Sequence, residues 1–99
     1  MQFIIRARDF TDEGALSRRM AARQAHLEYI EHLKAEGKAL FGAALLDGAG
    51  NMCGSVVVVE FPSRADVDAY LKGDPYVQNR VWDKIDVEPC KVSPLFTMK

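Results

Sequence analysis

A chain of 99 residues suits one small domain and is too short for two independent cores. Apolar residues make up 48% of it, enough to fold, while the formal net charge is only −1. That balance argues against a nucleic-acid or anionic-membrane partner, which would need a clustered basic stripe. Arg18, Arg19 and Arg23 lie close together, but Glu28 and Glu31 follow and no basic run persists.

The start, Met1-Gln2-Phe3-Ile4-Ile5, lacks the charged and long apolar regions of a signal peptide. No apolar stretch approaches the ~20 residues of a membrane span. Cys53 and Cys90 lack metal-ligand spacing, and the simple reading is two reduced cysteines in a cytoplasmic protein.

Phe3 to Arg8 reads as a strand, Phe3, Ile5 and Ala7 alternating with Ile4, Arg6 and Arg8. Thr11 or Asp12 can cap the helix that follows, which runs to about Glu36 and stops at Gly37. Ala39 to Leu46 is a second strand, and Asp47-Gly48-Ala49-Gly50-Asn51 has the composition of a hairpin loop. Gly54 to Phe61 is the third strand and carries four consecutive valines, Val56 to Val59.

Pro62 ends that strand, and Ser63-x-x-Asp66 resembles a capping box opening a helix that stops at Gly73. Asp74-Pro75 reads as a fresh N-cap with proline in the first helical position. A last strand lies between about Trp82 and Val92, where Pro89 suggests an edge or a bulge.

Strand-helix-strand-strand-helix-strand is the ferredoxin-like βαββαβ order of an α+β fold: an antiparallel sheet with helices on one face. Right-handed crossovers put the first and third strands in the centre. The four valines then place apolar side chains on both faces of a central strand, and two helices cover only one. A second subunit is the economical cover, so the sequence predicts a homodimer packed sheet to sheet.

Around the long helix residues advance by about 100° each. With Ile30 as the centre of the inner face, Leu16, Leu27 and Leu33 fall within about 60° of it. Arg19 and Arg23 fall within about 20° and His26 within about 40°, whereas His32 lies about 160° away and faces water. His26 is then either a core-edge histidine bonded to a carbonyl or a proton-transfer residue. Arg23 is either a structural ion-pair partner or a binder of an anionic group.

Asp74 is a natural helix cap, and a second oxygen of the same carboxylate can still face a cleft and charge-stabilise His26. Tyr76 can pack or donate a phenolic hydrogen bond, and Ser55 can point a hydroxyl into a pocket. Gly48 and Gly50 lack the strand-to-helix context of a phosphate loop. Gly42 and Gly54, in or beside strands, suggest bulges or close backbone approach. His26, His32, Cys53 and Cys90 make no recognisable metal constellation, and no cofactor motif is present.

These residues resemble the YciI-like (YCII-related) family of the dimeric α+β barrel superfamily. The similar stretch begins at Arg23-Gln24-Ala25-His26-Leu27 and continues through Tyr29, Leu33 and Gly37. It includes Gly42, Leu45-Leu46-Asp47, Gly54-Ser55, Glu60-Phe61 and Asp74-Pro75-Tyr76-Val77, most of the chain. The resemblance implies one domain over residues 1–99, a homodimer, and a pocket with a histidine and an aspartate proposed as active-site residues. These carry over onto His26 and Asp74 as the catalytic pair, with Arg23, Ser55 and Tyr76 as substrate-binding neighbours.

Two features depart from the family pattern: Gly42-Ala43 replaces a common glycine-proline, and Glu88-Pro89-Cys90 replaces a frequent basic-Pro-Phe ending. They bear on rim charge and pocket size. Related barrels are similar in carrying out isomerisation or elimination on ring compounds without a cofactor. The expectation is therefore a cofactor-independent lyase or isomerase for a small, anionic or cyclic molecule, with no metal. The alternatives are a non-catalytic dimeric metabolite-binding module, or a structural dimer in which an Arg23–Asp74 contact locks helix to loop.

Overall fold

Phe3, Ile5, Ala7 and Asp9 form the buried face of the first strand and Ile4, Arg6 and Arg8 the other, and the sheet is built on that strand. The computed structural model describes residues 1–96. Its elements are β1 (Gln2–Asp9), α1 (Ala15–Ala35), β2 (Ala39–Leu46), β3 (Met52–Glu60), α2 (Arg64–Gly73), α3 (Pro75–Gln78) and β4 (Trp82–Cys90). A 3₁₀ turn over Pro94–Phe96 follows. The sheet is antiparallel with order β2-β3-β1-β4, so the first and third strands are central, as the crossover argument requires. This is the ferredoxin-like α+β arrangement.

The register Phe3↔Val59, Ile5↔Val57 and Ala7↔Ser55 stacks the inward side chains of β1 and β3. They pack with Ala22, Phe61, Val67, Tyr70, Tyr76, Val81 and Trp82 into one core on the helix side. Burying each large apolar side chain there contributes about 1.5–3 kcal/mol. Pro89 sits on β4, an edge strand paired only with β1, the place in a sheet where proline is tolerated. Gly54 has a sharper reason: a Cβ there would lie 2.6 Å from the Ala7 carbonyl oxygen, so only glycine permits this strand pairing.

The local stops and starts follow the sequence. Gly37 adopts φ +77° just past α1, and Gly50 φ +87° in the hairpin loop, where Asp47 accepts from the N–H groups of Ala49 and Asn51. Ser63 caps α2 by accepting from Asp66 N–H, and its hydroxyl reaches the Asp66 carboxylate at 3.0 Å. Cys90 is opposite Gln2 and Gly54 opposite Arg8, so Cys53 and Cys90 lie at opposite ends of β1 as free thiols.

Two expectations for α1 are corrected. Neither Thr11 nor Asp12 caps it: Gly14 holds the N-cap position without a side-chain bond. Asp12 instead accepts from Gly14 N–H and pairs with Arg18 through two bonds of 2.8 Å. The buried stripe is Ala15, Arg19, Ala22 and His26, while Leu16 and Leu27 are exposed. Small alanines let α1 sit close to the sheet, and that turns the stripe away from the leucines chosen by hydrophobicity alone.

Candidate functional site

The end of α2 and the start of α3 meet at Asp74, which is fully buried. Its backbone is extended (φ −73°, ψ 127°), so the carboxylate folds back over the first turn of α3 and Oδ1 accepts from Tyr76 N–H at 2.9 Å. The same oxygen lies 2.7 Å from Nδ1 of His26, which projects from the inner stripe of α1. Oδ2 accepts the Tyr70 hydroxyl at 3.0 Å. Capping and pairing with histidine therefore coexist in one side chain.

With Nδ1 donating to the carboxylate, Nε2 is the imidazole nitrogen left for other chemistry. The ring is clamped: Tyr76 stacks on it at 3.8 Å with an interplanar angle of 9°, and Trp82 meets it edge-on at 5.7 Å. His26 lines a cavity of about 360 Å³ between α1 and the strands β2 and β3. Arg19, Arg23, Ser55 and Tyr76 line it as well, with an apolar wall that includes Leu27, Ile30 and Met52. That volume lies at the small end of the range of ligand pockets.

A second polar cluster adjoins the first. Arg19, buried on α1, donates from Nη1 to both carboxylate oxygens of Asp9 at 2.8 and 2.9 Å and from Nη2 to Ser55 Oγ at 2.8 Å. Trp82 Nε1 donates to the same Oγ at 3.2 Å. With both lone pairs of Ser55 accepting, its own O–H proton must donate elsewhere. Burial raises the Asp9 carboxyl above its ordinary range, opposed by the bonds from Arg19. Arg19 Nε is buried with no partner among the described residues. The Arg19 guanidinium lies 4.7 Å over the Tyr76 ring.

The structure thus brings His26, Asp74, Ser55 and Tyr76 together. Arg23 lies on the same cavity but at its exposed rim. An Arg23–Asp74 lock is ruled out as the holding contact, because Asp74 is engaged by His26, Tyr70 and Tyr76 N–H. His32 is exposed. Asp9, Tyr70 and Trp82 did not stand out in the sequence, since each reads locally as an ordinary strand end or helix-face residue. Arg19 shared the helical face of Arg23, and that was its only signal.

A four-stranded antiparallel sheet backed by helices, with a His–Asp pair beside a small cavity, defines a ferredoxin-like α+β protein. The chain belongs to the YCII-related domain family, whose model matches residues 1–91. It is 34% identical to the protein YciI of Escherichia coli O6:H1 and to that of Shigella flexneri, over 92% of this chain and 97% of each relative. Among solved structures it is similar to the 5-chloro-2-hydroxyhydroquinone dehydrochlorinase TftG of Burkholderia phenoliruptrix AC1100, in complex with 2,5-dihydroxybenzoquinone. That match has TM-score 0.81 and 32% identity, covering 92% of this chain and 94% of the other. An antibiotic biosynthesis monooxygenase shares the fold at TM-score 0.52 and 18% identity, over 95% of this chain and all of the other. No helix among the described residues is long and apolar enough to cross a membrane.

Proposed function

We propose that this chain is a cofactor-independent lyase or isomerase acting by proton transfer on a small oxygenated ring compound. The observation that carries the reading is the buried 2.7 Å contact between His26 Nδ1 and Asp74 Oδ1, on an imidazole that lines the cavity. Nε2 of His26 takes a proton from a substrate C–H or O–H, and Asp74 stabilises the imidazolium and fixes the tautomer. Charge that develops on the substrate oxygen meets the Ser55 O–H and the Arg19 guanidinium, both held in place before the reaction begins. The imidazolium then returns the proton at another atom, giving isomerisation, or a leaving group departs with its electron pair, giving elimination. Arg23 at the rim favours an anionic substrate.

The similarity to a dehydrochlorinase supports the elimination form of this chemistry. Two free thiols at opposite ends of β1 fit a reducing cytoplasm. The outer face of the sheet, with Ile4, Val58 and Phe41 in one row of the register, supports a homodimer packed through that face.

Turnover of 5-chloro-2-hydroxyhydroquinone and binding of 2,5-dihydroxybenzoquinone are the first probes. His26→Gln and Asp74→Asn are each expected to lower kcat by about 10²–10⁴-fold while the quinone still binds. Turnover undiminished in both variants rules out the proton-transfer pair. Quinone binding by the unmodified protein with no turnover of any ring substrate in a screen points to the binding module instead.

A further inference from the structure

A buried carboxylate 2.7 Å from an imidazole has an unwelcome side to it. A carboxylate that leaned only on the imidazole would favour the imidazolium form, which cannot accept a proton. Asp74 does not lean only on His26. Oδ1 is shared with Tyr76 N–H, and Oδ2 is taken by the Tyr70 hydroxyl.

We infer that Tyr70 is a positioning residue for the dyad: its hydroxyl, donated to Asp74 Oδ2, disperses the carboxylate charge and keeps His26 Nε2 available as a base. The inference rests on the proton-transfer reading and extends it to a residue outside the cavity lining. Tyr70 itself is held firmly. Its ring stacks between Tyr29 and Phe61, each with a centroid separation of 5.8 Å, and its backbone carbonyl accepts the Tyr29 hydroxyl at 2.8 Å. Gly73 makes room for this clamp, since a Cβ there would lie 2.5 Å from the Tyr29 hydroxyl oxygen. Burial and the adjacent Asp74 charge keep the Tyr70 phenol protonated well beyond neutral pH, so it is a permanent donor.

The other charged or titratable groups around the dyad are Arg19, Arg23 and Tyr29 of α1, Asp9 of β1 and Tyr76 of α3. Arg19 and Asp9 are paired with each other, and Tyr29 and Tyr76 are neutral phenols near pH 7, raised by burial. Ser55 of β3 and Trp82 of β4 do not titrate. Among these side chains, only those of His26 and Tyr70 bond the Asp74 carboxylate.

The test is an NMR titration of ring-labelled His26 in the full chain and three variants. Tyr70→Phe keeps the stacked ring and removes the donor, and it is expected to move the His26 titration to higher pH by about half to one unit. Tyr29→Phe loosens the clamp without touching the carboxylate and is expected to leave the titration in place. Asp74→Asn removes the partner charge and moves it to lower pH. A Tyr70→Phe titration unmoved or moved to lower pH, with Asp74→Asn responding, overturns the role of Tyr70 alone. A titration insensitive to Asp74→Asn overturns the dyad itself. Should Tyr70→Phe not fold, incorporation of 3-fluorotyrosine, a stronger donor, reads the same contact in the opposite direction. A shift to lower pH then supports the inference, and no shift overturns it.

Discussion

Arg19 is buried in an ion pair and lines the candidate cavity at the same time. Its guanidinium and the Asp9 carboxylate are both nearly inaccessible to water, so each depends on the other for solvation. Arg19→Met strands a buried carboxylate and is expected to destabilise the protein by about 3–5 kcal/mol in urea unfolding. The double variant Asp9→Leu, Arg19→Met, which removes both charges, is expected to recover most of that loss while leaving Ser55 without its guanidinium donor. If the double variant is no more stable than the single one, the pair is not an isolated electrostatic unit. Little of this was legible in the sequence. Helical spacing put Arg19 and Arg23 on the same face, but nothing local indicates that Asp9, at the end of β1, reaches one of them and not the other. The contact is made by the crossing of α1 over the sheet, a tertiary event.

At the level of elements, the short α2–α3 corner gathers aromatic rings as well as the dyad's carboxylate. Burial raises the phenols of Tyr29, Tyr70 and Tyr76, the chain's full complement of three tyrosines. An acid whose folded value is raised keeps its stabilising contribution below the unfolded value, about pH 10, and loses it as pH climbs above that. Stability is therefore expected to fall above about pH 10, with phenolate absorbance at 295 nm rising together with the loss of ellipticity at 222 nm. Gradual phenol titration near pH 10 in a chain that stays folded would contradict this burial. The corner itself was readable: Ser63-x-x-Asp66, Gly73 and Asp74-Pro75 are signals that act within one or two turns, and the caps form where they stand. The face of α1 was not, because its leucines and alanines compete. Hydrophobicity chose Leu16 and Leu27, whereas close approach to the sheet chose Ala15 and Ala22.

For the molecule as a whole, the feature that bears on assembly is the sheet face that no helix covers. The order of elements determined which face the helices take, and alternation along β1 and β3 determined what remains. Ile4 and Val58 are paired across β1 and β3, Phe41 is opposite Val58 on β2, and Phe41 is 60% exposed. Exposed charge flanks this row: Arg6 lies opposite Asp86, and Ile4 opposite Glu88. An apolar strip bordered by both signs of charge suits an isologous contact, in which each arginine of one copy meets acids of the other across a two-fold axis. The chain is therefore expected to sediment as a dimer at micromolar concentration, and Phe41→Glu to shift it to monomer by placing like charges face to face in the apolar centre. Because Phe41 lies on the face opposite the buried core, the variant monomer should retain its secondary structure by circular dichroism. An unmodified chain that sediments as a monomer at every concentration refutes the sheet-to-sheet dimer. A Phe41→Glu variant that remains dimeric places the interface elsewhere on the surface.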